Sequence, residues 1–272
     1  MEYNILKYNV IHIFSLSLKD KVTLITGSSS GIGFAMAKYF AENCESQVVI
    51  SSRKKRDNDK TLKKINGKVY SVNIDVTNIV NIRNSIDEII KKFNSIDILI
   101  NNAGYKFNKK IWYKKLHQID YSYFEQILDV DLMGSLRLSK TVIPYMIKNS
   151  KIYKQNNYVI INISSTPALS GHNEGSPYTI AKSGVIGLTK HIAREYGCYN
   201  IRSYTLALGN IATSSTYHSM SKKHQLIAEK EPSLKRWGTP KEVAHIAASL
   251  ADDGFSYATG NTILIDGGTI MF

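Results

Sequence analysis

A serine, a tyrosine and a lysine stand close together in ISSTPALSGHNEGSPYTIAK, Ile163 to Lys182. Ser165 precedes Tyr178 by thirteen residues, and Lys182 follows Tyr178 by four. Residues i and i+4 of a helix share a face, so a helix here would set a phenol beside an ammonium. A free tyrosine titrates near about 10, so its phenolate is scarce at neutral pH. A nearby cation favours the phenolate. Such a pair can give a proton to a carbonyl oxygen or take one from an alcohol, while Ser165 hydrogen-bonds that oxygen. Alone, the pattern reads better as two surface residues on a solvated helix, because Y-x-x-x-K is common by chance.

The N-terminal part supplies the context. Lys21 to Thr26 is a β-branched, apolar run, and it opens into TGSSSGIG, Thr26 to Gly33. This is not the usual G-x-G-x-x-G, but the same logic holds. Gly27 permits a tight turn, and Gly31 and Gly33 let the backbone approach a phosphate and the sheet. The following helix start offers free N–H groups and a positive dipole end to a pyrophosphate. The bland reading is a Gly/Ser turn capping a helix. Its place after the first strand of an alternating pattern favours a dinucleotide turn formed by Gly27, Ser29, Ser30, Gly31, Ile32 and Gly33. A carboxylate at the end of the second strand would bind a ribose 2′-OH, and a base would accept a 2′-phosphate. Here VVISSRKKR places Ser52 at the acidic position and Arg53 after it. A guanidinium suits a phosphate, so NADP(H) is expected over NAD(H). A solvated basic loop, extended by Lys54, Lys55 and Arg56, is the alternative.

The elements that position these residues follow from periodicity. Strands are expected at 48–51, 69–74, 96–100, 158–163, 201–207 and 262–265, and helices at 31–43, 79–93, 178–196 and 240–250. One long helix is expected over 123–148, stopped or bent around Pro144. This alternation implies right-handed crossovers and a single-domain Rossmann-like α/β fold: a doubly wound parallel sheet with helices on both faces. Ligands of such sheets bind beyond the carboxyl ends of the strands. The irregular stretches Tyr105 to Ser122 and Asn210 to Trp237 follow strands and should border the site.

Composition bounds the rest. The 272 residues are 43% hydrophobic and 21% charged, ordinary for a globular chain. No apolar run reaches the roughly 18 residues of a spanning helix, so no membrane role is expected. Residues 1–17 read as an N-terminal extension rather than a signal peptide, with the domain over 18–272. Cys44 and Cys198 stand apart from any C-x-x-C or Cys/His cluster, arguing against a disulfide framework or zinc site. A reducing cytoplasm is the default location. The net charge of +13 could serve nucleic acid, but the chain is rich in Lys, Asn and Ile throughout and carries no nucleic-acid-binding signature.

The combined pattern resembles the short-chain dehydrogenase/reductase family from Leu18 to Gly268. The matching pieces are TGSSSGIG, Asp75-Val76, NNAG at Asn101 to Gly104, Ser165, YTIAK, and ATGNTILIDGG at Ala258 to Gly268. The resemblance implies an NAD(P)-dependent oxidoreductase acting on a carbonyl/alcohol pair. It implies Tyr178 as acid/base, Lys182 on the nicotinamide ribose, and Ser165 orienting the substrate. Asp75 and Val76 would border the adenine, and Asn102, Ala103 and Gly104 the central cofactor. Gly209, Ile211 and Thr213 would hold the carboxamide region. Family members are usually tetramers and sometimes dimers, so a homo-oligomer is expected.

Three departures stand out. The family carries an Asn in the helix after NNAG that supports a water relay to the lysine; Asp131 aligns there, adding a charge that would stabilise the Lys182 cation and weaken its pull on Tyr178. The family's Pro-Gly turn reads Leu208-Gly209. The stretch after NNAG is longer than usual and holds five lysines, a tryptophan and three tyrosines. It reads either as a surface elaboration or subunit contact, or as a dock for an acidic carrier such as coenzyme A or acyl carrier protein. The expected substrate is a small carbonyl or alcohol, foremost a 3-oxoacyl thioester. A sugar or polyol dehydrogenase is the alternative within the family, and a non-catalytic nucleotide sensor the alternative of another class.

Overall fold

The computed structural model describes residues 18–153, 157–214, 216–217 and 220–271; the expected extension at 1–17 lies outside them. Seven strands form one sheet: β1 (Val22–Thr26), β2 (Gln47–Ser52), β3 (Val69–Asn73), β4 (Ile98–Asn101), β5 (Tyr158–Ser165), β6 (Ile201–Leu208) and β7 (Thr262–Ile265). Their order is β3-β2-β1-β4-β5-β6-β7, and every neighbouring pair is parallel. The order reverses at β1 and β4, which opens a crevice at their carboxyl ends.

The uninterrupted apolar runs of the central strands have a simple cause. Successive side chains point to opposite faces, and both faces are covered. Ile25, Ile50, Ile100 and Ile161 pack with α1 (Gly31–Glu42) and α10 (Pro240–Ala251), through Met36, Phe40, Val243 and Ala247. Their neighbours Leu24, Val49, Leu99 and Ile160 pack on the other face, against Ile82, Ile86 and Ile89 of α3 (Ile79–Phe93) and Leu138, Val142 and Met146 of α6 (Gly134–Ile152).

The remaining helices are α2 (Lys55–Leu62), α4 (Lys109–Trp112), α5 (Tyr121–Leu128), α7 (Pro167–Ser170), α8 (Ser176–Tyr196) and α9 (Lys222–Ala228). The single helix expected over 123–148 is a longer rod made of α5, a π-turn at Asp129–Met133, and α6. Its irregularity lies at the π-turn and not at Pro144, which sits inside α6. Pro144 and Lys140 are both exposed, so the proline lies on the solvent side of α6, and the helix continues through it. At the start of α6 the chain comes close to Val76: a Cβ on Gly134 would lie 2.9 Å from the valine side chain. Helix α2, where the sequence reading expects no element, buries only Asn58 and Thr61. The Asn58 amide donates to the Val72 carbonyl and to Asn73 Oδ1, both at 2.8 Å, tying the helix to β3.

Candidate active site

The glycine turn takes the expected shape. Gly27 and Gly31 have φ of 62° and 57°, a region that L side chains avoid. A Cβ on Gly33 would sit 2.5 Å from both Asn102 Nδ2 and the Gly27 carbonyl. Asn102 Nδ2 donates to the carbonyls of Thr26 and Gly27 at 2.9 and 3.1 Å, and the Asn102 and Ala103 amides donate to Thr26 Oγ1 at 3.0 and 3.1 Å. The NNAG segment is thus bonded to the first turn. Ser30 is the N-cap of α1 but makes no side-chain cap bond, which suits a helix end that receives a phosphate.

Tyr178 and Lys182 lie in the first two turns of α8. Gly175 caps this helix with φ of 67°, and Pro177 stands within its first turn, where its missing N–H costs no helical bond. Lys182 is 6% exposed. Its Nζ donates to the Ile163 carbonyl at 3.0 Å and stands 5.7 Å from the centroid of the Tyr178 ring. The ammonium acts on the phenol through its field at this range. The backbone is tied down as well, because Ser164 Oγ donates to the Lys182 carbonyl at 2.9 Å.

Ser165 ends β5, and its hydroxyl donates to the Leu208 carbonyl at 3.2 Å. The same carbonyl accepts the Thr166 N–H at 3.0 Å. Ser165 can therefore turn its proton toward a substrate oxygen without stranding that acceptor.

Asp131 sits in the π-turn at 1% exposure. Its Oδ1 accepts the Tyr105 N–H at 2.6 Å, while Oδ2 is buried with no hydrogen-bond partner. Burial pushes its carboxyl above the usual range; the Lys182 charge and the Tyr105 N–H oppose that rise without cancelling it. The charge of Lys182 thus bears on Asp131, acting against that rise.

One cleft of about 1330 Å³ brings most of these groups together. Ser30 to Gly33, Asn102, Gly104, Asp131, Ser165, Tyr178, Lys182, Gly209, Ile211 and Thr213 all border it. Both irregular stretches border it too, through Tyr105 and Trp112 on one side and Asn210 and Trp237 on the other. Thr213 comes to the glycine turn, with its methyl 3.8 Å from where a Cβ on Gly31 would stand. Gly209 is needed where the family's Pro-Gly turn falls, since a Cβ there would lie 2.6 Å from Asp266 Cβ. Ser29, adjoining this border, holds its carbonyl 3.4 Å from the Thr61 hydroxyl of α2.

Ser52, Arg53, Asp75 and Val76 lie outside that border, at the carboxyl ends of β2 and β3, where Ser52 is in register with Asn73. Arg53 is exposed. Burial acts to raise the Asp75 carboxyl, but hydrogen bonds from the Thr77 hydroxyl and N–H, aided by the charge of Arg53, hold it below its usual value. The charge of Arg53 thus reaches Asp75 at the end of β3. Val76 is buried against Gly134.

Sequence reasoning missed the Trp112 contacts. Trp112 Nε1 donates to Glu174 at 3.0 Å, and its ring lies 5.7 Å from that of Tyr178. The only available signal was a tryptophan within a segment read mainly for its charge.

The family profile described as enoyl-(acyl carrier protein) reductase matches residues 27–269. The chain belongs to the short-chain dehydrogenase/reductase family. A 3-oxoacyl-[acyl-carrier-protein] reductase of Thermotoga maritima is 35% identical over 260 residues, covering 94% of this chain and 100% of the relative. Glucose 1-dehydrogenase 2 of Bacillus subtilis is 30% identical over 258 residues, covering 94% and 96%. The crystal structure of a "putative gluconate dehydrogenase" from Agrobacterium tumefaciens matches with a TM-score of 0.83 at 25% identity, covering 93% of this chain and 96% of that one. The protein is an NAD(P)-dependent oxidoreductase of this family, with the Rossmann-like fold expected from its sequence. Among the described residues no group of three His, Cys, Asp or Glu is placed to hold a metal, and no helix is long and apolar enough to cross a membrane.

Proposed function

We propose that the protein is an NADP(H)-dependent 3-oxoacyl-thioester reductase. The observation that carries this reading is the sharing of one cleft by Ser165, Tyr178, Lys182 and the glycine turn. The turn and the uncapped start of α1 would hold the pyrophosphate, Lys182 the nicotinamide ribose, and Ile211 and Thr213 the carboxamide. When bound, the cofactor supplies a hydride to the carbonyl carbon. Ser165 turns its hydroxyl toward the carbonyl oxygen and holds it beside Tyr178. The Tyr178 hydroxyl gives its proton to that oxygen, and the product is a secondary alcohol. Lys182 stabilises the phenolate left behind until solvent returns the proton. Arg53 would take the 2′-phosphate.

The second reading, oxidation of a sugar or polyol by the same groups run in reverse, draws on the names of the Bacillus and Agrobacterium proteins. The deciding experiment follows reduced-nicotinamide absorbance with an acetoacetyl thioester, using NADPH and NADH separately, for wild type and Tyr178→Phe. Fast oxidation of NADPH, slower oxidation of NADH and a loss of about 10²–10⁴-fold in the variant are expected. Turnover of polyols with NADP⁺ and none of the thioester would replace the reading with the second one.

The thioester would arrive on coenzyme A or acyl carrier protein, and the exposed Lys110, Lys114 and Lys115 would attract that acidic carrier. Replacing the three by alanine should raise KM for the carrier-borne substrate and flatten its salt dependence, with a small free ketone unaffected. An equal response of both substrates removes the carrier from the proposal. A homotetramer or homodimer in the cytoplasm completes the reading, with both cysteines present as free thiols.

A further inference from the structure

The stretch after NNAG carries its charge outward, but its tryptophan turns inward and is held from several directions. The Trp112 Nε1–H donates to Glu174 Oε2 across 62 residues of sequence. The Trp112 carbonyl accepts the Gly175 N–H at 2.8 Å. The indole lies over Gly175 so closely that a Cβ there would be 2.6 Å from the ring. Gly175 is the N-cap of α8, three residues before Tyr178, so the indole is fixed to the helix that carries the phenol. Its ring stands 5.7 Å from Tyr178, 5.7 Å from His172 and 5.4 Å from Phe107. Behind it Ile111 is buried with Ile119 and Ile127.

Phe107, Ile111, Trp112, Ile127, His172 and Gly175 wall a compartment of about 830 Å³ that also reaches Ser165 and Tyr178. Its rim also carries Lys106, Asn108 and Glu231, but the wall formed by Phe107, Ile111 and Trp112 is aromatic and aliphatic. The indole occupies one oxygen of Glu174, the Glu174 N–H donates to His172 Nδ1 at 3.2 Å, and Asn210 Nδ2 donates to Glu231 at 2.8 Å. A substrate with a hydroxyl on every carbon would lose hydration against the indole and phenyl faces, where the one donor, the indole N–H, is already given to Glu174. An alkyl or aryl group would gain by leaving water.

The geometry points to Trp112 as the specificity-determining wall of this compartment, selecting carbonyl substrates that bear an apolar group on the carbon chain. The inference rests on the reductase reading and narrows it: within 3-oxo thioesters, the acyl tail packs on the indole. Rigidity matters here, because a wall held at Nε1, at its carbonyl and over a glycine can discriminate chain shape, whereas a mobile loop would adapt to any tail.

The test compares kcat/KM for 3-oxohexanoyl and acetoacetyl N-acetylcysteamine thioesters with NADPH, in wild type, Trp112→Ala, Trp112→Phe and Gly175→Ala. NADPH titration of each variant reports that the fold is intact. One methylene in a hydrophobic pocket changes kcat/KM by about 10–200-fold, so wild type should favour the longer chain by at least roughly 10-fold. Trp112→Ala should bring the ratio toward unity, Gly175→Ala should do the same by displacing the ring, and Trp112→Phe should keep most of the preference. A ratio unmoved by Trp112→Ala in a protein that still binds NADPH overturns the wall and leaves the reductase reading standing. A wild-type protein that reduces neither thioester overturns the proposed function, and the wall with it.

Discussion

Asp131 stands at the position where the family resemblance leads one to expect an asparagine. Its carboxyl is buried, and only one oxygen has a partner. Burial raises its titration, so the folded chain holds that proton more tightly than the unfolded one does. The associated stability is fully present below the ordinary value of 3.8 and is lost as pH rises through the raised one. Asp131→Asn should therefore melt higher than wild type at neutral pH, with the gap closing in acid. The same substitution removes a charge near Lys182. The pH–rate profile of alcohol oxidation should then move to lower pH, and an unchanged profile would mean that Asp131 has no influence on proton transfer. Arg53 makes a separate prediction. Charged hydrogen bonds are worth about 1.5–3 kcal/mol, so Arg53→Ala should lower kcat/KM with NADPH by roughly 10–100-fold and leave NADH nearly unaffected. An equal loss with both cofactors would show that Arg53 does not read the 2′-phosphate.

Among the elements, α10 shows how a helix start is secured beside a binding region. Thr239 and Glu242 form a reciprocal cap, and Arg236 adds two bonds to the same carboxylate at 2.6 and 3.1 Å. The Arg236 bond, followed by the Thr239 N–H, holds Glu242 down to about 2, from an ordinary 4.5. Its contribution is present above 4.5 and is lost as pH falls through about 2. The side chains are roughly half exposed, so solvent and salt reduce the effect. The expected result is a lower Tm for Glu242→Gln at pH 7 and convergence with wild type toward pH 2; a gap that persists in acid would assign the loss to packing instead. Helix α2 is the element that sequence reasoning overlooked. KRDNDKTL has no apolar stripe, so periodicity is silent, and the helix is held by the amide of Asn58. Pro144 misled for the opposite reason. A proline inside a helix removes one hydrogen bond and crowds the preceding turn, yet α6 continues through Pro144.

At the scale of the whole molecule, the sheet was legible because each central strand is buried on both faces and so reads as a continuous apolar run. The glycine turn, NNAG, Ser165, Tyr178 and Lys182 were legible because their spacing is local and their chemistry is narrow. What was not legible depends on distant segments meeting. No spacing rule links Trp112 to Glu174, and only the closure of the fold brings the indole to the phenol. The parallel sheet has one more consequence. Each of its six strand pairings joins strands that a crossover separates, so none can form as a hairpin from neighbouring residues. Loop-closure entropy must be met before any pairing rewards it, and such topologies fold slowly. Refolding from urea, followed by tryptophan fluorescence, should take milliseconds to seconds or longer, with a compact phase before the final one. A refolding time in microseconds would contradict this. The arrangement that gathers every chemical group at one rim thus also delays the moment at which that rim first exists.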